Sequence, residues 1–226
     1  MNAKMKKGHT IKVHDHGFVT YLDKAGSDRS IVAAARVSYA AESKGAAKDR
    51  KLLGYLFRNR HTSPFEMAKL YFVIRMPIFV MRQYVRHRMQ NLNEVSARYT
   101  ELPEEFYVPE EWRVQSSTNK QSSESGTVDQ GYCDNVAGEL YRNAYDAYML
   151  LIEQGVAREQ ARIVLPVGIY TEIRCCWDMN NLLKFFSLRD DAHAQAEIQD
   201  YARAMKEIAR AAFPWTMDAY DRRDSK

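Results

Sequence analysis

Residues 69–88, KLYFVIRMPIFVMRQYVRHR, change their hydrophobic period once, at Pro77. The first part, 69–76, is rich in aromatic and β-branched residues and reads as a strand. Proline cannot donate to a ladder, and its fixed φ suits the first turn of a helix, so the strand ends there and a helix opens. Ile78, Met81 and Val85 then recur at i, i+3 and i+7, which predicts a helix over 78–88. The chain has ten glycines, none in a GxG pair, and no GxxxxGK[ST] run. That excludes a Rossmann or P-loop reading. Any nucleotide bound here must be held by arginines, hydroxyls and helix N-termini.

The other elements read less sharply. Residues 18–22 are β-like, and 27–40 read as a helix capped by Ser27 or Asp28, with Ile31, Ala34, Ala35 and Ser38 on one face. Residues 41–51 read as a loop entering a helix over 51–60. HTSPFE (61–66) has the grammar of a helix start, with Ser63 as N-cap, Pro64 at N1 and Glu66 at N3. A connector over 101–112 leads to the polar stretch 115–131, expected to be a mobile surface loop. Helices follow over 135–154 and 157–165, separated by Gly155, then a break over 164–170 and a strand over 171–179. Helices over 180–188 and 192–212 complete the chain, the last ending near Pro214. Scattered strands among more numerous helices predict an α+β fold, a single domain over 1–226 with a central sheet flanked by long helices.

Composition narrows the function classes. With 226 residues, 46% hydrophobic and 27% charged, the chain resembles an ordinary soluble protein. No apolar run approaches the roughly 20 residues that span a bilayer, so no membrane role is expected. MNAKMKKGHT has no apolar run behind its basic residues and does not read as a secretory signal. Three cysteines with no CxxC spacing suit a reducing, cytoplasmic setting. Arginine is concentrated locally: Arg82, Arg86, Arg88 and Arg98 face one acid, Glu94. That pattern suits a focused anion site rather than a nucleic-acid surface, for which a lysine- and aromatic-studded patch is expected.

RHRMQNLNEVSARY (86–99) carries that excess. Gln83 and Arg86 share a helical face, whereas Arg86 and Arg88 point about 200° apart on a helix. Beyond it, Glu94, Ser96 and Arg98 alternate and would project to one side of an extended chain. The residues alone leave two readings open, a structural ion-pair network and an anion site. Arg158 and Arg162 repel at i, i+4 unless an anion, Glu159 or a distant acid offsets them. Asp190 or Asp191 reads as an N-cap before the last helix, with Arg189 just upstream. His14-Asp15-His16 would be a His-x-His pair on a strand, but no further ligands accompany it, and no metal site is expected. Cys175 and Cys176, beside Trp177, read as buried and inert. No triad or nucleophile elbow is present.

With these blocks set out, the sequence resembles the flavin-dependent thymidylate synthases. The likeness lies in RHR (86–88), seven intervening residues, Ser96 and Arg98-Tyr99, together with AARVSY (34–39), HTSPFE, PIFVMRQYVRHR (77–88), AREQARIVLP (157–166) and LRDDAHAQAEI (188–198). The stretch 115–131 lies outside it. The resemblance implies dTMP synthesis from dUMP, with 5,10-methylenetetrahydrofolate as one-carbon donor, FAD as redox cofactor and NADPH as reductant. It also implies a homotetramer with active sites shared among subunits. Carried over by position, Ser38, His61, Ser63, Arg86, His87, Arg88 and Glu94 match flavin-contacting positions. Gln83, Arg86, Glu94, Val95, Ser96, Ala97, Arg98, Arg162 and Arg189 match dUMP-binding positions.

The resemblance further makes Arg189 the group that stabilises an anionic uracil, a device of the oxyanion type, with no enzyme nucleophile. Ser96 has the residue type of a nucleophile but no adjacent base, and a phosphate contact is its expected role. Asn91 stands where many relatives have serine. Asp178 and Lys184 stand where many have asparagine near the flavin, and Asn180 falls in the same region; Asp178 and Lys184 would pair if both faced the site.

Overall fold

In a computed structural model of the chain, residues 5–40 and 42–222 are described. The first four residues of the stretch read as not being a secretory signal lie outside them. Seven strands form among the described residues, β1 (Thr10–Val13), β2 (Gly17–Ala25), β3 (Lys69–Pro77), β4 (Gln90–Glu94), β5 (Val114–Gln115), β6 (Ser123–Glu124) and β7 (Tyr170–Asp178). Five make an antiparallel sheet in the order β1-β2-β3-β7-β4, and β5 and β6 pair as a separate ribbon. The helices are α1 (Asp28–Arg36), α2 (Ala46–Arg58), α3 (Ser63–Glu66), α4 (Ile78–Tyr84), α5 (Gln130–Glu153), α6 (Arg158–Ala161), α7 (Met179–Arg189), α8 (Ala196–Ala212) and α9 (Pro214–Asp221). The α+β expectation holds.

β3 is central because its pattern lets both edges pair. Register runs from Lys69 opposite Asp178 to Pro77 opposite Tyr170. Leu70, Phe72, Ile74 and Met76 alternate onto one face with Ile173, Cys175 and Trp177 of β7. Helix α8 covers that face with Ile198, Tyr201, Ala202, Met205, Ile208 and Ala209, all buried. Each large side chain so buried contributes about 1.5–3 kcal/mol relative to exposure. The opposite face carries Tyr71, Asn91, Asn93, Arg174 and Cys176 around an open space of about 660 Å³. One face of the sheet is therefore core and the other is polar, which puts β4 and its flanks at the edge where a site is accessible.

Several expected boundaries move. The helix predicted over 78–88 stops at Tyr84, and Val85 is exposed rather than the third member of an apolar row. The chain tightens there, with Arg86 N–H donating to the Gln83 carbonyl and His87 N–H to that of Tyr84. The Gln90 amide then caps the His87 carbonyl at 3.0 Å as β4 begins. Pairing β4 against β7 leaves no length for another helical turn. The alternation expected from Glu94 to Arg98 also fails, because the extended chain ends at Glu94 and Tyr99 and Thr100 donate back to the Ser96 carbonyl.

Residues 46–50, expected as loop, begin α2. Gly45 takes φ 89° and releases the chain into the helix. Asp49 in the first turn accepts from Ser43 Oγ at 2.5 Å and from Arg36 Nη2 at 2.6 Å. α3 starts with Ser63 inside the helix and Thr62 in the cap position, one residue off the predicted frame. α1 is capped by Ser27, whose hydroxyl accepts from the Ser30 N–H, and it gives way to a 3-10 turn over Val37–Tyr39. The stretch 115–131 carries the β5–β6 ribbon, and α5 starts within it at Gln130 with Asp129 as its cap. α6 is one turn followed by a 3-10 turn over Arg162–Val164. β1 was unanticipated, and His14-Asp15-His16 is the turn of a hairpin, with His14 at φ 58°. α8 starts at Ala196, so neither Asp190 nor Asp191 caps it; Asp190 instead binds Arg203 and Lys206.

Candidate active site

The segment from α4 through β4 to the turn at 97–99 distributes its polar side chains over separate places. At its first end, His87 is half-buried against Phe185 and Trp177, with ring centroids 4.9 and 6.3 Å away. Arg189, at the C-terminal end of α7, donates Nε–H to His87 Nε2 at 3.0 Å. Burial, and then the Arg189 charge, lower the His87 pKa to about 4. The ring is therefore neutral near pH 7, with Nε2 an acceptor and the proton on Nδ1. Burial also lowers the Arg189 pKa from its ordinary value.

At the other end, Glu94, Val95, Ser96 and Ala97 line a cavity of about 300 Å³ with Arg162, Thr171 and Ile78. β4 sets Glu94 opposite Ile173, which brings it beside Thr171, whose hydroxyl donates to Glu94 Oε1 at 2.7 Å. The fold thus collects five of the residues expected around dUMP. Arg98 is not among the lining residues. It sits in the turn, with Nε 3.3 Å from Glu159. Arg158 pairs with Glu101 at 2.9 Å, so a distant acid offsets its repulsion from Arg162.

A third place, a cavity of about 700 Å³, has an apolar floor that includes Leu56, Phe65 and Leu183. His61, Arg58, Arg60, Asn180, Lys184 and Arg222 line its rim, and among the described residues no carboxylate lines it. Asp178 does not pair with Lys184. It caps α7, accepting from the Asn181 N–H at 2.9 Å. Asn180 donates to Glu66 at 3.1 Å. Ser38, Ser63, Arg86 and Arg88 are exposed, and their side chains meet no partner among the described residues.

Gln83 stands apart from both cavities and is hydrogen-bonded to Gln195, the residue before α8. Sequence reasoning missed Gln195 and Thr171, because each is recognisable only through a partner distant in sequence. Cys175 is buried and hydrogen-bonded to Tyr84, and burial pushes its thiol up to about 12, which fits the inert reading.

The sequence model of the family described as thymidylate synthase complementing protein matches residues 20–215. The chain belongs to the flavin-dependent thymidylate synthase family. Among its relatives, a flavin-dependent thymidylate synthase of Thermus thermophilus is 47% identical over 212 residues, covering 94% of this chain and 78% of that protein. The same enzyme of Treponema denticola is 44% identical over 219 residues, covering 95% and 82%. A crystal structure of the UMP/dUMP methylase PolB from Streptomyces cacaoi bound with 5-Br dUMP superposes with a TM-score of 0.85 at 35% identity, covering 93% of this chain and 97% of that one. Family membership makes this chain an enzyme, a flavin-dependent methyltransferase. No helix among the described residues is long and apolar enough to cross a membrane.

Proposed function

We propose that this chain methylates dUMP to dTMP, with 5,10-methylenetetrahydrofolate as carbon donor, FAD as redox cofactor and NADPH as reductant. The observation that carries this is the cavity uniting Glu94, Val95, Ser96 and Ala97 with Arg162. It offers the Ala97 amide, a hydroxyl and a guanidinium for a phosphate, and a carboxylate for a sugar or base donor. PolB, solved with 5-Br dUMP and with 5-Br UMP, is a structural relative consistent with this choice of substrate.

The donor set also fits FAD. Arg86 and Arg88 are exposed without a carboxylate partner among the described residues, and the cavity at His61 has cations on its rim over an apolar floor. A diphosphate joined to flat aromatic rings matches that chemistry. Arg86, His87, Arg88, Ser38, Ser63, His61 and Glu94 are the residues that would hold it. FAD, when bound, supplies the hydride that completes the methyl group.

The chain's own groups do the rest. Arg162, Ser96 and the Ala97 amide fix the phosphate, while the Val95 N–H is held by the Glu172 carbonyl at 2.8 Å. Arg189 presents a guanidinium to the uracil and stabilises negative charge on the pyrimidine, so no nucleophile need add to it. Neutral His87 accepts from Arg189 Nε and leaves the terminal nitrogens free for substrate. The two ends of β4 are separated by about 15 Å of extended chain, so one protomer presents its parts at separate places. That separation supports a homotetramer in which neighbouring chains complete each site, and the three free cysteines support a reducing, cytoplasmic setting.

The purified protein should be yellow, or turn yellow and retain flavin after incubation with FAD. It should then form dTMP from dUMP when given methylenetetrahydrofolate and NADPH. A preparation that stays flavin-free overturns the reading. Steeply salt-dependent nucleic-acid binding without flavin would favour an arginine-rich nucleic-acid module instead.

A further inference from the structure

The Gln83 amide is the end of a half-buried polar relay whose other end is a buried carboxylate. Glu197, 4% exposed in the first turn of α8, accepts from Arg113 Nη2 at 2.5 Å and Tyr107 Oη at 3.1 Å on one oxygen. Its second oxygen faces the Gln195 amide at 2.8 Å. Burial pushes the Glu197 carboxyl up, but the hydrogen bonds from Arg113 and Gln195 outweigh it and hold its pKa below the ordinary value. Glu197 is therefore ionised near neutral pH and only accepts.

Amide nitrogen and oxygen are alike in shape, so their orientation follows from the network. A carboxylate at one end leaves one consistent solution. Gln195 turns its NH2 to Glu197, which turns its oxygen to Gln83. Gln83 must then turn its NH2 to Gln195, and its own Oε1 is left free, meeting no donor among the described residues.

We propose that Glu197, through Gln195, is a positioning residue that fixes Gln83 to show the nucleotide an acceptor, selecting a ligand donor group. This rests on the reading of Gln83 as a dUMP contact. dUMP has two neutral donors, the 3′-hydroxyl and N3–H, and the relay assigns one of them to Gln83. Arg113 also donates to Ser123 at 2.8 Å, so the β5–β6 ribbon braces the far end of the relay.

The test is calorimetric titration of the FAD-loaded enzyme with dUMP, 2′,3′-dideoxy-UMP and N3-methyl-dUMP. The wild type should bind dUMP roughly 3- to 10-fold more tightly than the analogue that lacks the donor facing Gln83. In Glu197→Gln, Arg113 and Tyr107 hold the new amide's oxygen, so its NH2 faces Gln195. Both glutamines then flip, and Gln83 shows a donor. The preference for dUMP over that analogue should fall to about one or below, with flavin content unchanged. Should Glu197→Gln fail to fold, Gln195→Met, which breaks the relay without a charge change, should likewise erase the preference. Wild-type preference in whichever variant folds, with Gln83→Ala weakened, overturns the relay alone. Unchanged dUMP affinity in Gln83→Ala overturns the reading of Gln83 itself, and the relay with it.

Discussion

Arg189 donates its Nε–H to Nε2 of His87 at 3.0 Å across a site walled by Phe185 and Trp177. The two residues are 102 positions apart, one at the end of α7 and the other just past α4. The bond fixes the plane of the guanidinium by its inner nitrogen and leaves the terminal nitrogens for the substrate. It also fixes the tautomer of a ring that would otherwise compete for charge.

Arg189→Ala removes the guanidinium and leaves the apolar wall. dTMP formation should fall by about 10²- to 10³-fold, the usual loss when a preorganised electrostatic donor is removed. Flavin binding and far-UV circular dichroism should be retained. Arg189→Lys should recover little, since lysine lacks the planar fork that binds His87 and substrate together. Turnover at the wild-type rate in Arg189→Ala would show that the uracil is activated elsewhere.

The lowered pKa of His87 makes stability pH-dependent. Its ordinary value is 6.5, and the folded value is about 4. Between these limits the unfolded chain takes up the proton and the folded chain does not. Stability is full above pH 6.5 and declines as pH falls toward 4. Half-burial screens the effect, so about 1–2 kcal/mol should be lost over that window. Urea unfolding of wild type and His87→Asn at both pH values measures it: the variant should lose less on acidification, and equal losses would refute the assignment.

Ser96 tests for a nucleophile. It lines the cavity with Arg162, and its Oγ accepts from the Arg98 N–H at 3.3 Å, a local turn contact. No described general base holds it. Ser96→Ala should raise KM for dUMP by about 3- to 10-fold, the equivalent of one lost hydrogen bond, with kcat nearly unchanged. Complete loss of turnover with intact dUMP binding would instead give Ser96 a covalent role.

What the sequence revealed follows the range of the interactions. The switch at Pro77 was legible because strand propensity, the missing N–H and the apolar row all lie within one segment. The overshoot of α4 to Arg88 came from Val85, which fits the periodic row but is exposed, since β4 must pair with β7 five residues later. Residues 46–50 looked like loop because the stretch 41–51 is polar and contains Gly45, yet Asp49 within it is buried. Its partner Arg36, 13 residues upstream, is what permits its burial. The grouping of Glu94 through Ala97 with Arg162 came from family likeness, and the sheet register supplies its physical cause. Gln195 and Glu197 stayed hidden as site residues, because Gln195 meets Gln83 across 112 positions.

Asp28 gives a further case, and a stability prediction. Its sequence position suggested a cap for α1, but Ser27 takes that role. The Asp28 carboxylate, 7% exposed, instead accepts from the N–H groups of Trp215 and Thr216, both at 3.0 Å, and from Thr216 Oγ at 2.6 Å. These are the N-terminal amides of α9, where a negative charge also meets the helix dipole. The bonds tie the last helix to the first across 188 positions of chain. Asp28→Ala leaves two amides and a buried hydroxyl unsatisfied, and the unmet desolvation should cost about 2–4 kcal/mol. Asp28→Asn keeps an acceptor of the same shape and should cost about half as much. Urea midpoints of the two variants check the order. Because α9 packs on α2, loss of the tie should also speed amide hydrogen exchange in α9 ahead of β3. A uniform increase across both would show that α9 does not open separately from the sheet.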